Sequence, residues 1–205
     1  MRKCIIVGGG DFSAALLPAR EPGDLLIAAD SGYAALTDAG ILPDLCVGDF
    51  DSLGTVPAGD GVIRLPVVKD DTDTGYAVKL GLERGYRTFM LLGVLGGKRF
   101  SHSLAAVQML AYLAARGARG EILDERCRIT VLGAGTLDFP AGCAGEISVL
   151  ALSDEAVVTE TGLFYTLDRA ELTNTFPLGV SNHFTGAPAR ITVHAGTVAV
   201  ILEQA

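Results

Sequence analysis

Carboxylate side chains follow three apolar segments in the first half of the chain. The segments LLIAAD, LCVGDFDS and VIRLPVVKDDTD are typical of strands that end in acids, which are Asp30, Asp49, Asp51, Asp70, Asp71 and Asp73. In an open parallel sheet, ligands bind in the crevice beyond the carboxyl ends of the strands. If these strands are parallel neighbours, the sequence predicts that the acids converge on one site.

The D-x-D spacing within this group indicates a metal site. Residues i and i+2 of an extended chain point to the same side, so Asp49 and Asp51 share a side while Phe50 turns away. Asp71 and Asp73 repeat the spacing. Crowded carboxylates repel each other, and a divalent cation removes that repulsion. Mg²⁺ is commonly held by one or two carboxylates together with substrate phosphates, so the cluster favours binding of a Mg²⁺–nucleotide.

A purely structural role for these acids competes with the metal site. Aspartates at strand ends often cap helices or form turns, and for any single one of them this role is the more common. Acids at three consecutive strand ends, with two D-x-D pairs among them, favour the functional interpretation.

The segment GGKRFSH also follows an apolar strand and is predicted to join the same crevice. Lys98 and Arg99 are suited to phosphate contacts, and Ser101 is suited to capping the helix that follows. His102 stands at the start of that helix. The sequence is equally compatible with a ligand contact and with an ordinary polar position for this histidine.

Other phosphate-binding and hydrolase motifs are incomplete or absent. VGGGDFS lacks the third glycine of a dinucleotide fingerprint. Its backbone amides would suit a phosphate, and a simple tight turn fits the segment equally well. The chain has no P-loop and no G-x-S-x-G nucleophile elbow, so a serine hydrolase is not indicated.

Composition limits the possible partners. The chain has 205 residues, of which 49% are hydrophobic and 20% charged, with a net charge of −8 and no tryptophan. Scattered basic residues on an acidic chain disfavour nucleic acid and favour a cationic small molecule or a metal that accompanies a phosphate. No apolar run approaches bilayer length, so no membrane partner is expected. The N-terminal CIIV is too short for a signal peptide, and we expect a cytoplasmic protein whose four cysteines are core residues.

The order of the segments predicts an α/β fold, with an N-terminal, mostly parallel, Rossmann-like sheet flanked by helices and a C-terminal all-β sandwich. In residues 1–120, apolar runs alternate with helix-like segments, which is typical of a parallel sheet covered on both faces. Residues 121–205 contain strand-like segments separated by turn residues. Within this part, VHAGTVAV predicts a hairpin that turns at Ala195 and Gly196. We therefore expect an α/β domain at 1–120, whose acidic cluster suits a Mg²⁺–nucleotide, and a β-sandwich domain at 121–205.

Six segments, taken in order, resemble the signature of thiamine pyrophosphokinases, also called thiamine diphosphokinases. They are AADSG (28–32), GDFDS (48–52), KDDTD (69–73), GGKRFSH (96–102), TGLFYTL (161–167) and LGVSNHF (178–184). GDFDS alone is weak evidence, because D-x-D occurs in many metal sites, whereas the ordered set is specific. The resemblance runs from about Asp30 to Phe184, which is most of the chain.

The resemblance implies transfer of the pyrophosphoryl group of Mg²⁺–ATP to the hydroxyl of thiamine, which gives thiamine diphosphate and AMP. It also implies that the C-terminal sandwich binds thiamine and that a homodimer forms sites between its subunits. The expected catalytic residues are Asp49, Asp51, Asp71 and Asp73, and the expected metal ligands are Asp49, Asp51 and Asp73. The ATP side is expected to comprise Asp30, Lys69, Arg99 and His102, and the thiamine side Ser181 and Asn182.

Two positions depart from the family pattern. Ser101 stands where the family typically has aspartate, and Ala106 stands where asparagine is common. These changes motivate a second hypothesis, in which the chain binds or senses thiamine or a nucleotide without catalysis. A third hypothesis is another D-x-D metal–nucleotide transferase, such as a nucleotide-sugar transferase, and the small size and the GVSN segment argue against it.

Overall fold

The computed structural model describes residues 2–50, 59–68 and 70–203. The chain divides into two compact units, Met1–Met109 with Gly117–Glu125 and Leu110–Arg116 with Arg126–Ala205. The predicted class, a mostly parallel α/β sheet followed by antiparallel sandwich-like sheets, is confirmed. The domain boundary between residues 120 and 121 stays a prediction.

The described part of the first unit contains a parallel sheet of six strands in the order β6-β5-β1-β2-β3-β4. Along the chain up to Leu123, the described elements are β1 (Cys4–Val7), β2 (Leu25–Ala29), α1 (Gly32–Asp38), β3 (Leu45–Gly48), β4 (Val62–Arg64), α2 (Asp73–Glu83), β5 (Thr88–Leu92), α3 (Phe100–Ala114) and β6 (Arg119–Leu123), with a short 3₁₀ helix at Ala14–Leu16. The end of α3, from Leu110, belongs to the second unit. None of the helices in the described residues is long and apolar enough to cross a bilayer.

Continuous apolar runs form the central strands. Every residue of β1 and β2 is buried, as expected for strands that are covered on both faces. Ile5, Val7 and Leu26 belong to one core cluster with Leu36 of α1. This packing gives the strand ends a rigid base.

The strand order creates a switch point between β1 and β5. From β1 the chain proceeds to β2, β3 and β4 on one side, and β5 and β6 lie on the other side. Ligands of open α/β sheets bind beyond the strand ends at such a point. Glycine-rich loops, residues 8–10 and 93–97, follow these two strands.

The helix starts differ in detail from the sequence prediction. Because α3 begins at Phe100, Ser101 lies inside the first turn and not at the N-cap, where it was expected. At α2, Thr72 is the N-cap residue, and its hydroxyl accepts a 3.0 Å hydrogen bond from the Gly75 amide. Asp73 is therefore the first residue of α2.

The second unit contains two antiparallel sheets. Their strands are β7 (Cys127–Leu132), β8 (Gly135–Phe139), β9 (Glu146–Ala151), β10 (Glu155–Thr161), β11 (Leu167–Thr173), β12 (Asn182–His183), β13 (Ala189–Ala195) and β14 (Val198–Glu203). One sheet has the order β12-β9-β14-β7, and the other has the order β11-β10-β13-β8. Side chains of both sheets form a common core, which includes Ile147, Val149, Val158 and Ile191.

The predicted hairpin at Ala195 and Gly196 is wrong. β13 pairs with β10 and β8, whereas β14 pairs with β7 and β9. The chain therefore passes from one sheet to the other at this turn. Gly196 has a φ of +81°, and a Cβ there would overlap the carbonyl oxygen of Glu155, so the glycine permits this close crossing.

Gly32 provides a stability test of the packing between α1 and β1. A Cβ at this position would overlap the carbonyl oxygen of Val7, which belongs to the backbone of a central strand. We expect Gly32→Ala to lower the free energy of unfolding by about 1–3 kcal/mol, because a backbone element must move. Gly133→Ala is the control, since no atom lies within 4 Å of its added Cβ. Urea denaturation measures both, and equal stability of the two variants would contradict the close packing.

Candidate active site

Three carboxylates from three separate elements form a cluster in the first unit. Asp30 follows β2, Asp49 follows β3, and Asp73 begins α2. One carboxylate oxygen from each lies within 4.8 Å of the others, and all three side chains are partly buried. The predicted convergence of the acids therefore holds for these three residues, but only Asp30 and Asp49 follow strands directly, because β4 ends at Arg64 and Asp73 begins a helix.

Close backbone contacts bring Asp30 and Asp49 together. The amide of Asp30 donates a 2.8 Å hydrogen bond to the carbonyl oxygen of Val47 in the neighbouring strand. A Cβ on Gly48 would lie only 3.0 Å from the Cα of Asp30, so glycine permits the two strand ends to approach. This is a physical reason for the glycine of the GDFDS motif.

The backbone of this region adopts an uncommon conformation. Asp30 has a φ of +48° and Phe50 has a φ of +59°, which is unusual for an aromatic residue. Phe50 is 3% exposed and belongs to the core cluster of the first unit. The aromatic ring thus anchors the chain in the core. The prediction that Asp49 and Asp51 share one side assumed an extended chain, and the left-handed backbone at Phe50 departs from that assumption. Backbone strain of this kind concentrates at functional sites.

The start of α2 favours a negative charge at Asp73. The positive end of the helix dipole stabilises a carboxylate in the first turn by about 0.3–1 kcal/mol. Thr72 caps the same turn, and its side chain and that of Asp73 line the adjoining cleft.

The donor set of the cluster suits a hard divalent cation. Three carboxylate oxygens within 4.8 Å offer only oxygen ligands, which match Mg²⁺ better than metals that prefer nitrogen or sulfur. Like charges so close together repel, and a bound cation relieves that repulsion. The residues therefore fit the implied metal.

A cleft of about 480 Å³ adjoins the carboxylate cluster. Asp30 and Asp73 line it, together with the glycine loops that follow β1 and β5. The Gly10 amide donates to the Gly93 carbonyl oxygen at 2.6 Å, and the Asp11 amide donates to the Leu95 carbonyl oxygen at 2.8 Å, which ties the two loops together. The volume lies in the range of small-molecule sites, and its place at the switch point is the expected one.

Basic and polar residues occupy another wall of this cleft. Lys98, Arg99 and His102 line it, and the His102 amide donates to the Arg99 carbonyl oxygen at 3.0 Å. Desolvation and then the Arg99 guanidinium lower the pKa of His102, and Asp73 and Asp30 oppose this shift. The histidine is therefore biased toward its neutral form.

Asp71 lies outside the three-carboxylate group. Both of its carboxylate oxygens accept from the Lys79 ammonium, at 2.8 and 2.7 Å. Its predicted catalytic role stays a prediction. Asp51 and Lys69 lie outside the described residues.

Sequence reasoning missed several residues of the cleft. Asp11, Ser31 and Thr72 line it, and the carboxylate of Asp11 accepts a 3.3 Å hydrogen bond from the Gly97 amide. Ser31 and Thr72 lie inside the AADSG and KDDTD segments, so their positions in these motifs could have indicated that they line the cleft. The position of Asp11 directly after three glycines was the corresponding signal for that residue.

The two residues predicted for the thiamine side lie in the second unit. Ser181 is exposed, has a φ of +59°, and donates its amide hydrogen to the Ser148 hydroxyl at 3.0 Å. Asn182 begins β12 and is 6% exposed. Phe164, Tyr165 and Phe176 are exposed large side chains of the same unit.

The first unit, with its parallel sheet, acidic cluster and glycine-lined cleft, has the architecture of α/β proteins that bind a ligand beyond the strand ends at a switch point. Residues 20–121 match a sequence model described as the catalytic domain of thiamin pyrophosphokinase, and residues 137–198 match one described as its vitamin B1 binding domain. The chain belongs to the thiamine pyrophosphokinase family and is a thiamine diphosphokinase enzyme. Formation of thiamine diphosphate is the general chemistry of this family.

Relatives extend over most of the chain. A thiamine pyrophosphokinase of Bacillus subtilis is 26% identical in an alignment of 185 positions that covers 86% of each chain. The crystal structure of the Bacillus subtilis enzyme superposes with a TM-score of 0.83 at 25% identity, over 99% of both chains. The enzyme from Geobacillus thermodenitrificans has a TM-score of 0.81 at 26% identity, over 99% of this chain and 98% of its own. The enzyme from Candida albicans shares the fold, with a TM-score of 0.82 at 14% identity, over 100% of this chain and 89% of its own.

The carboxylate cluster predicts an unusual stability response. We expect Asp49→Asn to raise the free energy of unfolding by roughly 1–3 kcal/mol in EDTA, because it removes a charge from a repelling group. Wild-type protein should gain thermal stability from added Mg²⁺, and the variant should gain much less. Asp168→Asn, at an exposed site in β11, is the control for the same change in net charge. An equal Mg²⁺ response in all three proteins, measured by thermal unfolding, would exclude a metal role for Asp49.

Proposed function

We propose that this enzyme transfers the pyrophosphoryl group of Mg²⁺–ATP to the hydroxyl of thiamine and releases thiamine diphosphate and AMP. The observation that carries the proposal is the cluster of Asp30, Asp49 and Asp73 beside a glycine-lined cleft, in a chain of the thiamine pyrophosphokinase family. The enzyme interpretation is favoured over the non-catalytic sensor by the family membership of both halves.

The triphosphate of ATP would lie along the cleft. Backbone amides of glycine-rich loops suit phosphate oxygens, and the exposed cations Lys98 and Arg99 lie on the cleft wall. Asp30, Asp49 and Asp73 would hold Mg²⁺, and this set adds Asp30 to the metal ligands expected from the sequence. Asp51 and Lys69 keep their predicted roles as a metal ligand and an ATP-side residue.

The chain supplies orientation, charge and a proton acceptor. The thiamine oxygen forms a bond to the β-phosphorus, the bond from that phosphorus to the bridging oxygen of AMP breaks, and the hydroxyl proton passes to a base. A primary alcohol is a weak nucleophile, so fixing it in line with that bond lowers the barrier. A carboxylate of the cluster would accept the proton. The bound cation would supply charge withdrawal from the phosphate oxygens.

The second unit would bind thiamine. It contains Ser181 and Asn182 within LGVSNHF, and it contains the match to a vitamin B1 binding domain. Phe164 and Tyr165 of TGLFYTL expose their rings, with centroids 4.9 Å apart and an interplanar angle of 86°. Aromatic faces suit a cationic heterocycle such as the thiazolium of thiamine.

A coupled AMP assay tests the reaction. Wild-type protein should release AMP from ATP only when thiamine and Mg²⁺ are both present. Asp49→Asn should lower turnover on the order of 10²-fold or more, because a charge that stabilises the reacting phosphates is lost. Asp168→Asn should keep wild-type turnover. Release of ADP, or AMP formation without thiamine, would contradict the proposal.

A homodimer is part of the proposal. Five large apolar side chains of the second unit are exposed, namely Phe164, Tyr165, Phe176, Leu178 and Val180. Contiguous exposed apolar patches mark interaction surfaces, and we expect these side chains to contribute to one. We expect sedimentation equilibrium to give a dimer for wild type and a shift toward monomer for Phe176→Ser. Leu42→Ser, at an exposed apolar site of the first unit, is the control. A monomeric wild type would refute the dimer. The predicted cytoplasmic location stays a prediction.

A further inference from the structure

The side-chain amide of Asn182 has no hydrogen-bonding capacity left for a ligand. Its Oδ1 accepts from the backbone amides of Tyr165 and His183, both at 2.9 Å. Its Nδ2 donates to the Tyr165 carbonyl oxygen at 2.7 Å and to Glu160 Oε2 at 3.0 Å. A primary amide has two acceptor lone pairs and two N–H donors, so all four are used within the chain.

Glu160 is the buried partner of this asparagine. The residue lies in β10, between β11 and β13, and is 1% exposed. Oε2 accepts from Asn182, and Oε1 has no hydrogen-bond partner within the described residues. Burial raises the pKa of Glu160, and the hydrogen bond from Asn182 offsets only part of that shift. A buried acid is costly, so its retention here calls for a specific role.

The Asn182 contacts fix the turn that contains Phe164 and Tyr165. Asn182 holds both the amide and the carbonyl group of Tyr165. The Phe164 amide donates to the His183 carbonyl oxygen at 2.9 Å, and Leu163 forms an antiparallel bridge with Phe184. The two aromatic residues are 66% and 61% exposed although their backbone is held on both sides. We call residues 163–165 the aromatic turn.

We infer that Asn182 and Glu160 are positioning residues that hold the aromatic turn in the shape that receives thiamine, and that Asn182 does not contact the ligand itself. The inference rests on the proposed function for the identity of the ligand. It assigns a role to Glu160, which no sequence motif indicated, and it replaces the expected contact between Asn182 and the pyrimidine ring. Ser181, which is exposed beside Asn182, remains available for that contact.

Hydrogen exchange of the backbone amides tests the positioning role without any ligand. Asn182→Ala removes the acceptor of the Tyr165 and His183 amides, so we expect exchange at these two amides to become at least tenfold faster. Asn174→Ala is the matched control, because Asn174 bonds the exposed Asp154 side chain in the same unit. Unchanged exchange at Tyr165 in the Asn182→Ala variant would overturn the inference.

Kinetics and a second variant separate positioning from direct contact. Asn182→Ala should raise the KM for thiamine at least tenfold and leave the KM for ATP within about twofold. Glu160→Gln keeps an oxygen acceptor for Asn182, so its KM for thiamine should stay close to that of wild type. Glu160→Ala removes that acceptor, so it should show the raised KM for thiamine and the faster exchange at the Tyr165 amide expected for Asn182→Ala. A raised KM with wild-type exchange would show direct contact and refute the inference. If Asn182→Ala does not fold, Glu160→Ala and Glu160→Gln provide the same comparison.

These measurements also keep the two proposals apart. If the wild-type protein forms no AMP with thiamine, the proposed reaction fails, and the exchange experiment still decides whether Asn182 and Glu160 hold the aromatic turn. If AMP forms and exchange at Tyr165 is insensitive to Asn182, the reaction stands and the positioning role fails.

Discussion

Mutual repulsion among three carboxylates is the constraint on which the first unit depends. Asp30, Asp49 and Asp73 each place one carboxylate oxygen within 4.8 Å of the others, and like charges at that distance repel. A flexible loop would relax by separating them. The site therefore requires a rigid scaffold, which the parallel sheet with its fully buried central strands provides. The residues that meet at the cluster are far apart in the sequence, and the common direction of the strands brings them together.

The candidate ligand-binding groups of the two units differ in their chemistry. The first unit uses charge: a carboxylate cluster, nearby cations, and a left-handed backbone at Asp30 and Phe50. The second unit uses a hydrogen-bonded network, in which the side-chain amide of Asn182 is fully paired within the chain and two aromatic side chains are left exposed. A polyphosphate with its cation needs the former, and a flat heterocycle needs the latter. In each unit, buried groups hold in place the exposed groups to which the proposed function assigns ligand binding.

The sequence predicted the features of the site that depend on the order and direction of the strands. It did not predict contacts that depend on a residue far away in the sequence. The strand ends located Asp30 and Asp49, and the order of the acidic segments brought Asp73 into the same predicted site. The extended conformation assumed for the D-x-D segment fails at Phe50, whose left-handed backbone no alternation pattern indicates. The pairing of Asp71 with Lys79 was not predictable, because it depends on α2 beginning at Asp73 and on the reach of a flexible lysine.

Tertiary contacts also decide which neighbouring strands pair. The residues around Gly196 have the local chemistry of a hairpin, and only the packing of two sheets makes the chain cross there. β6 has the sequence RGEIL, which has little apolar character of its own, and it forms because it pairs along its whole length with β5. Buried Glu160 escaped prediction for a related reason, since alternation within AVVTETG gives no sign of which partner its carboxylate meets.

The fold shows where Ser101 and Ala106 lie, the two positions at which the sequence departs from the family pattern. Both lie on α3, whereas the three clustered carboxylates come from the ends of β2 and β3 and from the start of α2. Ser101 is exposed in the first turn, and Ala106 is buried one turn beyond His102 in the cleft wall, with Met109 nearby along the same helix. An alanine and a methionine make that part of the wall apolar, where the family commonly has an amide. Under the proposed function, the two departures therefore alter the surface that α3 would offer to the nucleotide and leave the three clustered carboxylates intact. Loss of an acid on α3 would not remove a proposed metal site whose three described carboxylates belong to other elements.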